Sequence, residues 1–388
     1  MQETLERIYV ETSEQLHQVC QRYTQAPVLA IDTEFVRTRT LYPKLGLLQI
    51  FDGEQLALID PIAIEDLSPF WQLLTDNAIT KVLHACSEDL EVFLTSANCK
   101  PVNLIDSQIM MSFLGYGLSM GYAAMVEHFT GITLDKSESR TDWTKRPLTQ
   151  KQLTYASADV EHLFAIYPKL LAEITDAGFL GYAEQESQVL IERKFSPIDE
   201  NQLYRQIKLA WRLNPKQLNT LQYLAKWRYQ QAKKRDLPLG FVVKDNTLMA
   251  VAKYNPQSIS EMKKIDGAEV IDIRHRGKDM LAVIKQASQV NEADYPQKIQ
   301  RLDEYPGYKQ IFKKVKDLII TIGEKHDLAI ENLASKKQIN QFLTWHFDLN
   351  DAKQLSRETG NQPDILHGWR NELFGQSLQH FANNNFTA

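Results

Sequence analysis

One short segment limits what this chain can become: Val28-Leu-Ala-Ile-Asp32-Thr-Glu34-Phe35. Its apolar residues predict a β-strand that closes on two acids two positions apart. Side chains alternate across a strand, so Asp32 and Glu34 project from the same face. Two carboxylates side by side in a hydrophobic strand repel each other and are costly to desolvate. A hard cation with oxygen ligands, Mg²⁺ or Mn²⁺, is the cheapest compensation. An acidic pair of this kind is common by itself, so its meaning depends on what the rest of the chain supplies.

With 388 residues, the chain exceeds one ordinary domain and predicts two or three. Hydrophobic residues make up 43% and charged residues 24%, the balance of a soluble globular protein. No apolar run reaches membrane-span length, and Met1-Gln-Glu-Thr-Leu-Glu lacks the basic and apolar regions of a signal peptide. Cys20, Cys86 and Cys99 form no close metal-binding pair and read as reduced packing thiols, so a cytoplasmic protein is expected. Forty-four basic and 49 acidic residues leave a net charge of −5, which excludes a uniformly basic coat but not a basic face. Arg205 to Arg235 carries nine Lys or Arg and no Asp or Glu, which reads either as a solvated helix face or as a phosphate-contacting surface.

Ile8-Tyr-Val10 predicts a short edge strand, and Thr12-x-x-Gln15 a capping box opening a helix with Leu16, Val19, Cys20 and Tyr23 inside. Strands are expected at 28–35, 47–51 and 56–60, the last two joined at the turn signal Asp52-Gly53. A helix over 68–76 and a strand over 81–84 follow; Ser87 is then expected to cap a helix whose first turn holds Glu88 and Asp89. First-turn acids complement the helix dipole, which accounts for Glu88 and, unless another role claims it, for Asp89. A short strand ends at Asp106, read as an N-cap. The polar, irregular stretch 139–148 does not look like a core element. Thr149-x-x-Gln152 opens a helix to about residue 172, on which Tyr155 and Asp159 share a face beside the apolar stripe. A meander followed by alternating helices and strands predicts a mixed sheet flanked by helices.

Asp32-x-Glu34 on a strand, Asp89 at a helix start, and Tyr155-x-x-x-Asp159 on a helix together resemble the DEDD exonucleases whose last motif carries tyrosine. His84-Ala-Cys-Ser-Glu-Asp89, Asp142-Trp-x-x-Arg146-Pro-Leu148 and Tyr155-Ala-x-x-Asp159-Val are similar, within that group, to the ribonuclease D family. The resemblance covers roughly residues 25–170. It implies an α/β ribonuclease-H-like fold and a 3′→5′ exonuclease that releases nucleoside 5′-monophosphates. In-line hydrolysis of a phosphodiester is served by two divalent cations about 4 Å apart. By resemblance Asp32 bridges both, Glu34 and Asp159 complete one site, Asp89 serves the second through water, and Tyr155 orients the attacking water. Arg146 and Lys145 are either phosphate contacts or surface residues; Asp106 and Asp142 are either caps or supports behind the ligands.

After Pro197 an acidic-then-basic linker is expected, then a helix from Asn214-Pro215 to Arg235 ended by Leu237-Pro238. Helical segments at 246–254, 258–265, 268–275 and 278–290 complete a small all-α domain. Trp227-Arg228 and Asp236-Leu-Pro238 resemble the HRDC domain, named for helicases and RNase D. Ala232-Lys-Lys-Arg-Asp-Leu237 is echoed by Gly323-Glu-Lys-His-Asp-Leu328, 91 positions later, which predicts a divergent second copy. The expected domains are 1–195 (exonuclease), 196–209 (linker), 210–291 (first HRDC domain) and 292–388 (second). The resemblance implies RNA as partner, specifically transfer RNA precursors and small structured RNAs. Lys233, Lys234 and Arg235 are candidate contacts, and Trp211 and Trp227 are expected to be core. A monomer is the default. The alternatives are a DNA-directed exonuclease on the same acids and a catalytically silent nucleic-acid-binding scaffold.

Overall fold

The computed structural model describes residues 6–360 and 362–387. These form two compact units: residues 6–37, 42–196 and 319–335 in the first, and 38–41, 197–318 and 336–387 in the second.

The first unit is built on six strands: β1 (Glu6–Val10), β2 (Val28–Val36), β3 (Lys44–Phe51), β4 (Gln55–Ile59), β5 (Thr80–Leu83) and β6 (Leu104–Asp106). Their order is β1-β4-β3-β2-β5-β6. The meander β2-β3-β4 is antiparallel, and β1, β5 and β6 add parallel to its flanks, giving the mixed sheet expected from the pattern. Helices in this unit include α1 (Ser13–Tyr23), α2 (Ser68–Thr75), α3 (Ser87–Ala97), α4 (Ser107–Phe113), α5 (Tyr122–Thr130), α6 (Gln150–Asp176) and α7 (Leu180–Phe195).

The central strands are apolar on both faces because both faces are covered. On one, Leu29, Ile31, Leu48, Ile50, Ala57 and Ile59 pack with Leu16, Tyr23, Phe70 and Phe93. The other is the face of Asp32 and Glu34. Asp32 pairs across β3 with Gln49, and Glu34 with Leu47. Phe51, two residues from Gln49, meets Phe164 of α6 edge-on at 5.1 Å. The acidic face of β2 is therefore the face that α6 covers. A register shift between Glu34 and Phe35 breaks the β2–β3 ladder just beyond the second acid.

Several local signals have their expected effect. The Thr12 and Thr149 capping boxes are formed, and Gly53 turns the β3–β4 link at φ +100°. Ser87 does not cap α3: it is the first helical residue, preceded by Cys86, and no side chain caps that end. The turn is fixed instead by the Asp106 carboxylate, which accepts the Ala85 and Cys86 N–H groups, each at 2.9 Å.

In the second unit, α8 (Pro215–Arg235) begins at an Asn214–Gln217 capping box with Pro215 in first position. Short α9 (Leu239–Val242), α10 (Asp245–Tyr254), α11 (Ile259–Met262) and α12 (Val270–Ala287) complete one helical core. Tyr204 and Ile207, in the stretch expected to be a linker, are buried in that core. The expected pair of helices at 268–275 and 278–290 is the single helix α12, which runs through Gly277. A Cβ there would stand 2.7 Å from Ile259 Cδ1, so the glycine serves close packing and not a break. Trp211 and Trp227 are half-buried: Trp227 packs against the core, whereas Trp211 lies under the Arg301 guanidinium at 4.0 Å.

The repeat at offset 91 is visible in the backbone. Asp236 and Asp327 are both left-handed, at φ +49° and +55°. The helices that follow them, Leu239–Val242 with Asp245–Tyr254 and α14 (Ile330–Leu333) with α15 (Lys336–His346), start 91 residues apart; α13 (Tyr308–Lys325) precedes the second pair.

One close approach in the first unit is testable. A Cβ on Gly46 of β3 would meet the Trp143 backbone oxygen at 2.6 Å and its Cβ at 2.7 Å. Gly46→Ala is expected to destabilise the fold by about 2 kcal/mol, measured by denaturant unfolding; an unchanged midpoint contradicts this packing.

Candidate active site

β2 and α6 bring the acids together. One carboxylate oxygen each from Asp32, Glu34 and Asp159 lies within 4.8 Å of the others. Asp159 is at mid-helix with 8% exposure, where a lone acid has no structural use. The Tyr122 hydroxyl donates to the carbonyl oxygens of Ala158 (3.0 Å) and Asp159 (2.5 Å), tying α5 to α6 at this turn. Tyr155, one turn earlier, sits beside the buried Trp143 ring at 6.1 Å.

Asp89 stands outside that close triplet. It is 6% exposed in the first turn of α3, whereas neighbouring Glu88 is exposed, so the two acids separate into an inner and a solvent-facing one. The Thr33 hydroxyl, between Asp32 and Glu34 in sequence, donates to Asp89 Oδ1 at 2.5 Å and ties α3 to β2. Asp106 accepts the Gln108 N–H as the N-cap of α4, besides fixing the turn before α3. His84 bonds Ser107 Oγ and the Met120 carbonyl, and burial lowers its pKa, so it is a neutral structural ring.

The electrostatics follow from burial without a counter-charge. Desolvation, then the neighbouring carboxylates, push Glu34 up to about 9 and hold Asp32 well above the carboxylate range. Burial pushes Asp159 to about 8, and Asp89 to about 6 against the opposing hydrogen bond from Thr33. Burial, then Asp159 and Glu34, also raise Tyr155, which keeps its phenol protonated and makes it a hydrogen-bond donor instead of a base. Three clustered, desolvated carboxylates are a donor set suited to hard divalent cations.

Arg146, expected as a possible phosphate contact, is committed to the scaffold. Its Nε and Nη2 grip both oxygens of Asp60 at 2.5 and 2.6 Å; its other donors reach the carbonyls of Trp143, Lys145 and Gly46. All five guanidinium N–H groups are used, leaving none for substrate. Burial favours the neutral acid at Asp60, but the Arg146 and Tyr9 hydrogen bonds prevail and hold it at about 2. Asp142 is an exposed turn cap for Thr144, and Lys145 is exposed. In the second unit Lys233 pairs with Glu200 at 2.6 Å, while Lys234 and Arg235 are exposed. Thr33 and Tyr122 were not singled out by the sequence. Neither spacing nor composition marks a hydroxyl whose partner is 56 or 37 residues away.

Comparison with known proteins decides the family. Residues 8–175 match the 3′–5′ exonuclease family, 217–284 the HRDC domain, and 306–378 the ribonuclease D C-terminal HRDC domain. Ribonuclease D of Escherichia coli (strain K12) is 45% identical over 95% of this chain and 96% of its own. The Cronobacter turicensis ribonuclease D is 43% identical over 97% of this chain and its full length. The crystal structure of the E. coli enzyme, described as an exoribonuclease involved in structured RNA processing, superposes at a TM-score of 0.92, covering 98% of this chain and 99% of that one. This chain belongs to the ribonuclease D family. It is accordingly a 3′→5′ exoribonuclease, with an α/β exonuclease domain followed by two HRDC-type domains. A Bifidobacterium adolescentis protein, 21% identical with a TM-score of 0.66, shares the fold. Among the described residues, no helix is long and apolar enough to cross a membrane.

The raised acids make stability depend on pH. An unfolded chain releases the Glu34 proton near 4.5, whereas the fold retains it until about 9. The folded state therefore binds more protons between those values, and its stability falls as pH rises. Lys81, lowered by burial to about 8, acts in the opposite sense only above that pH. Up to about pH 6.5 the histidines lowered by burial, His84 and His346, also act in the opposite sense. In EDTA, the melting temperature is therefore expected to fall between about pH 6.5 and 8, and Asp159→Asn to raise it at the upper end. A flat profile, or a less stable variant, contradicts the description of these acids.

Proposed function

We propose that this chain hydrolyses RNA from the 3′ end with two divalent metal ions, Mg²⁺ or Mn²⁺, releasing nucleoside 5′-monophosphates. The convergence of Asp32, Glu34 and Asp159 within 4.8 Å carries the reading. These three would hold metal directly, and Asp89, kept beside β2 by Thr33, would complete the second site. When bound, such ions lower the pKa of water and offset charge on the attacking and leaving oxygens. The protein's own part is placement. Without cations the acids hold protons and present no positive charge; with cations they ionise as ligands, so the site attracts a polyanionic backbone only in the loaded state. Tyr155, kept protonated, donates a hydrogen bond that orients the attacking water. The Arg146–Asp60 clamp and the Thr149 capping box hold the start of α6, and with it Tyr155 and Asp159.

The substrates proposed are transfer RNA precursors with 3′ extensions and other small structured RNAs. The E. coli relative's involvement in structured RNA processing supports this. So does the basic stretch 205–235, of which Lys234 and Arg235 remain exposed and Lys233 is partly offset by Glu200. The proposed domain limits stay near residues 195 and 291, with Tyr204 and Ile207 assigned to the helical domain that buries them. A cytoplasmic monomer is the proposed state.

The test compares a transfer RNA bearing a short 3′ extension with DNA of matched sequence, each in Mg²⁺, Mn²⁺ or EDTA, beside Asp32→Ala. Stepwise 3′ shortening of the RNA, lost in EDTA and reduced at least about 10³-fold in the variant, is expected. Turnover by Asp32→Ala at the parent rate would sink the assignment, and faster loss of DNA would replace RNA as the substrate.

A further inference from the structure

Gln49, in β3, lies directly across from Asp32 of β2 on one side and Leu58 of β4 on the other. Its side chain therefore belongs to the acidic face of the sheet, the face that α6 covers. It has no exposed surface, and neither amide atom, Nε2 nor Oε1, has a hydrogen-bond partner. Among the described residues it is the one side chain whose donor and acceptor are both buried and idle. An unsatisfied buried amide costs stability, and native folds keep few of them.

The surroundings limit what this amide can serve. Enclosed as it is, it meets no substrate, so it acts through a residue beside it. Its same-face neighbours in the sheet are Leu47, Phe51, Leu58 and Asp32, and of these only Asp32 carries polar side-chain atoms. Above it, the buried polar side chains in the first half of α6 are Gln152, Ser157 and Asp159. Gln152 is engaged by Thr149 and Thr141, and Ser157 Oγ donates to the Leu153 carbonyl. What remains is a carboxylate of the candidate metal site, and Asp32 is the one that faces Gln49 in register. Cβ atoms of facing residues stand about 5 Å apart, within reach of a glutamine side chain.

We propose that Gln49 is a positioning residue for Asp32: its Nε2–H donates to the Asp32 carboxylate when that group serves as a metal ligand, and fixes its orientation. The inference rests on the two-metal reading of the site. A hydrogen bond to an ionised acceptor is about twice as strong as one between neutral groups, and bonds made to ligating carboxylates hold them in place. A donor idle in the unloaded fold and satisfied in the loaded one favours loading.

The test uses Gln49→Leu and Gln49→Met in the full chain, which put an apolar side chain of similar size in place of the amide. Calorimetric titration with Mn²⁺ near neutral pH is expected to show affinity reduced about tenfold or more for at least one ion. In EDTA the melting temperature is expected to stay at the parent value or rise, because an apolar group replaces an unsatisfied one. On RNA, kcat is expected to fall with KM little changed. In the Asp32→Asn background, whatever Mn²⁺ binding remains is expected to be indifferent to Gln49→Leu, since the two residues act as one unit. A glutamine that serves packing alone gives the reverse pattern, a lower melting temperature in EDTA with Mn²⁺ affinity at the parent level. That pattern, failure of both variants to fold, or an undiminished effect of Gln49→Leu beside Asp32→Asn overturns the proposal. If the parent itself binds no Mn²⁺, the metal reading fails and this inference with it, so the two failures are told apart by the parent titration.

Discussion

Repulsion among clustered, half-buried and buried carboxylates is the constraint around which the first unit is arranged. Asp32, Glu34 and Asp159 are brought within 4.8 Å by elements that would each be more stable with apolar residues there. The fold tolerates them because the opposite face of β2, with Leu29 and Ile31, is anchored in the main core. In the absence of cations the acids answer by holding protons, as the values of about 9 for Glu34 and 8 for Asp159 express. The same strain that costs stability is what gives the site its affinity for divalent ions.

Placement of the acids rests on contacts made by residues that carry no catalytic chemistry. Asp106 fixes the turn ahead of α3, and Thr33 links Asp89 back to the acidic strand. Arg146 joins the segment before α6 to Asp60 and to the start of β3 at Gly46, while Tyr122 ties α5 to the turn of α6 that bears Asp159. Each bond joins elements distant in sequence, so strand, helix start and helix are held in one geometry before any ion or substrate arrives.

Periodicity made much of this legible in the sequence. A two-residue repeat puts Asp32 and Glu34 on one face, and a four-residue spacing does the same for Tyr155 and Asp159. Thr12, Thr149 and Asn214 mark helix starts because a cap is a local interaction. The misreadings fall where partners are remote. Arg146 reads as a phosphate contact or a surface cation until Asp60, 86 residues earlier, is seen to occupy it. The two helical segments expected at 268–275 and 278–290 are one helix, with Gly277 between them packed against Ile259. Trp143 lies in a stretch too polar to suggest core, yet is 1% exposed because Gly46 lets its backbone approach. The helical repeat was legible as a faint echo at 91 positions, and its backbone persists where the side chains have diverged.

The most direct test of the central claim is to titrate the metal-free chain with Mn²⁺ near neutral pH, counting bound ions and, from runs in buffers of different ionisation enthalpy, the protons released. Saturable binding of two ions with net proton release, abolished for at least one ion by Asp32→Asn, is the predicted result. Binding without proton release, or binding that Asp32→Asn leaves intact, would mean that these carboxylates are not held protonated for want of a cation, and would contradict the account.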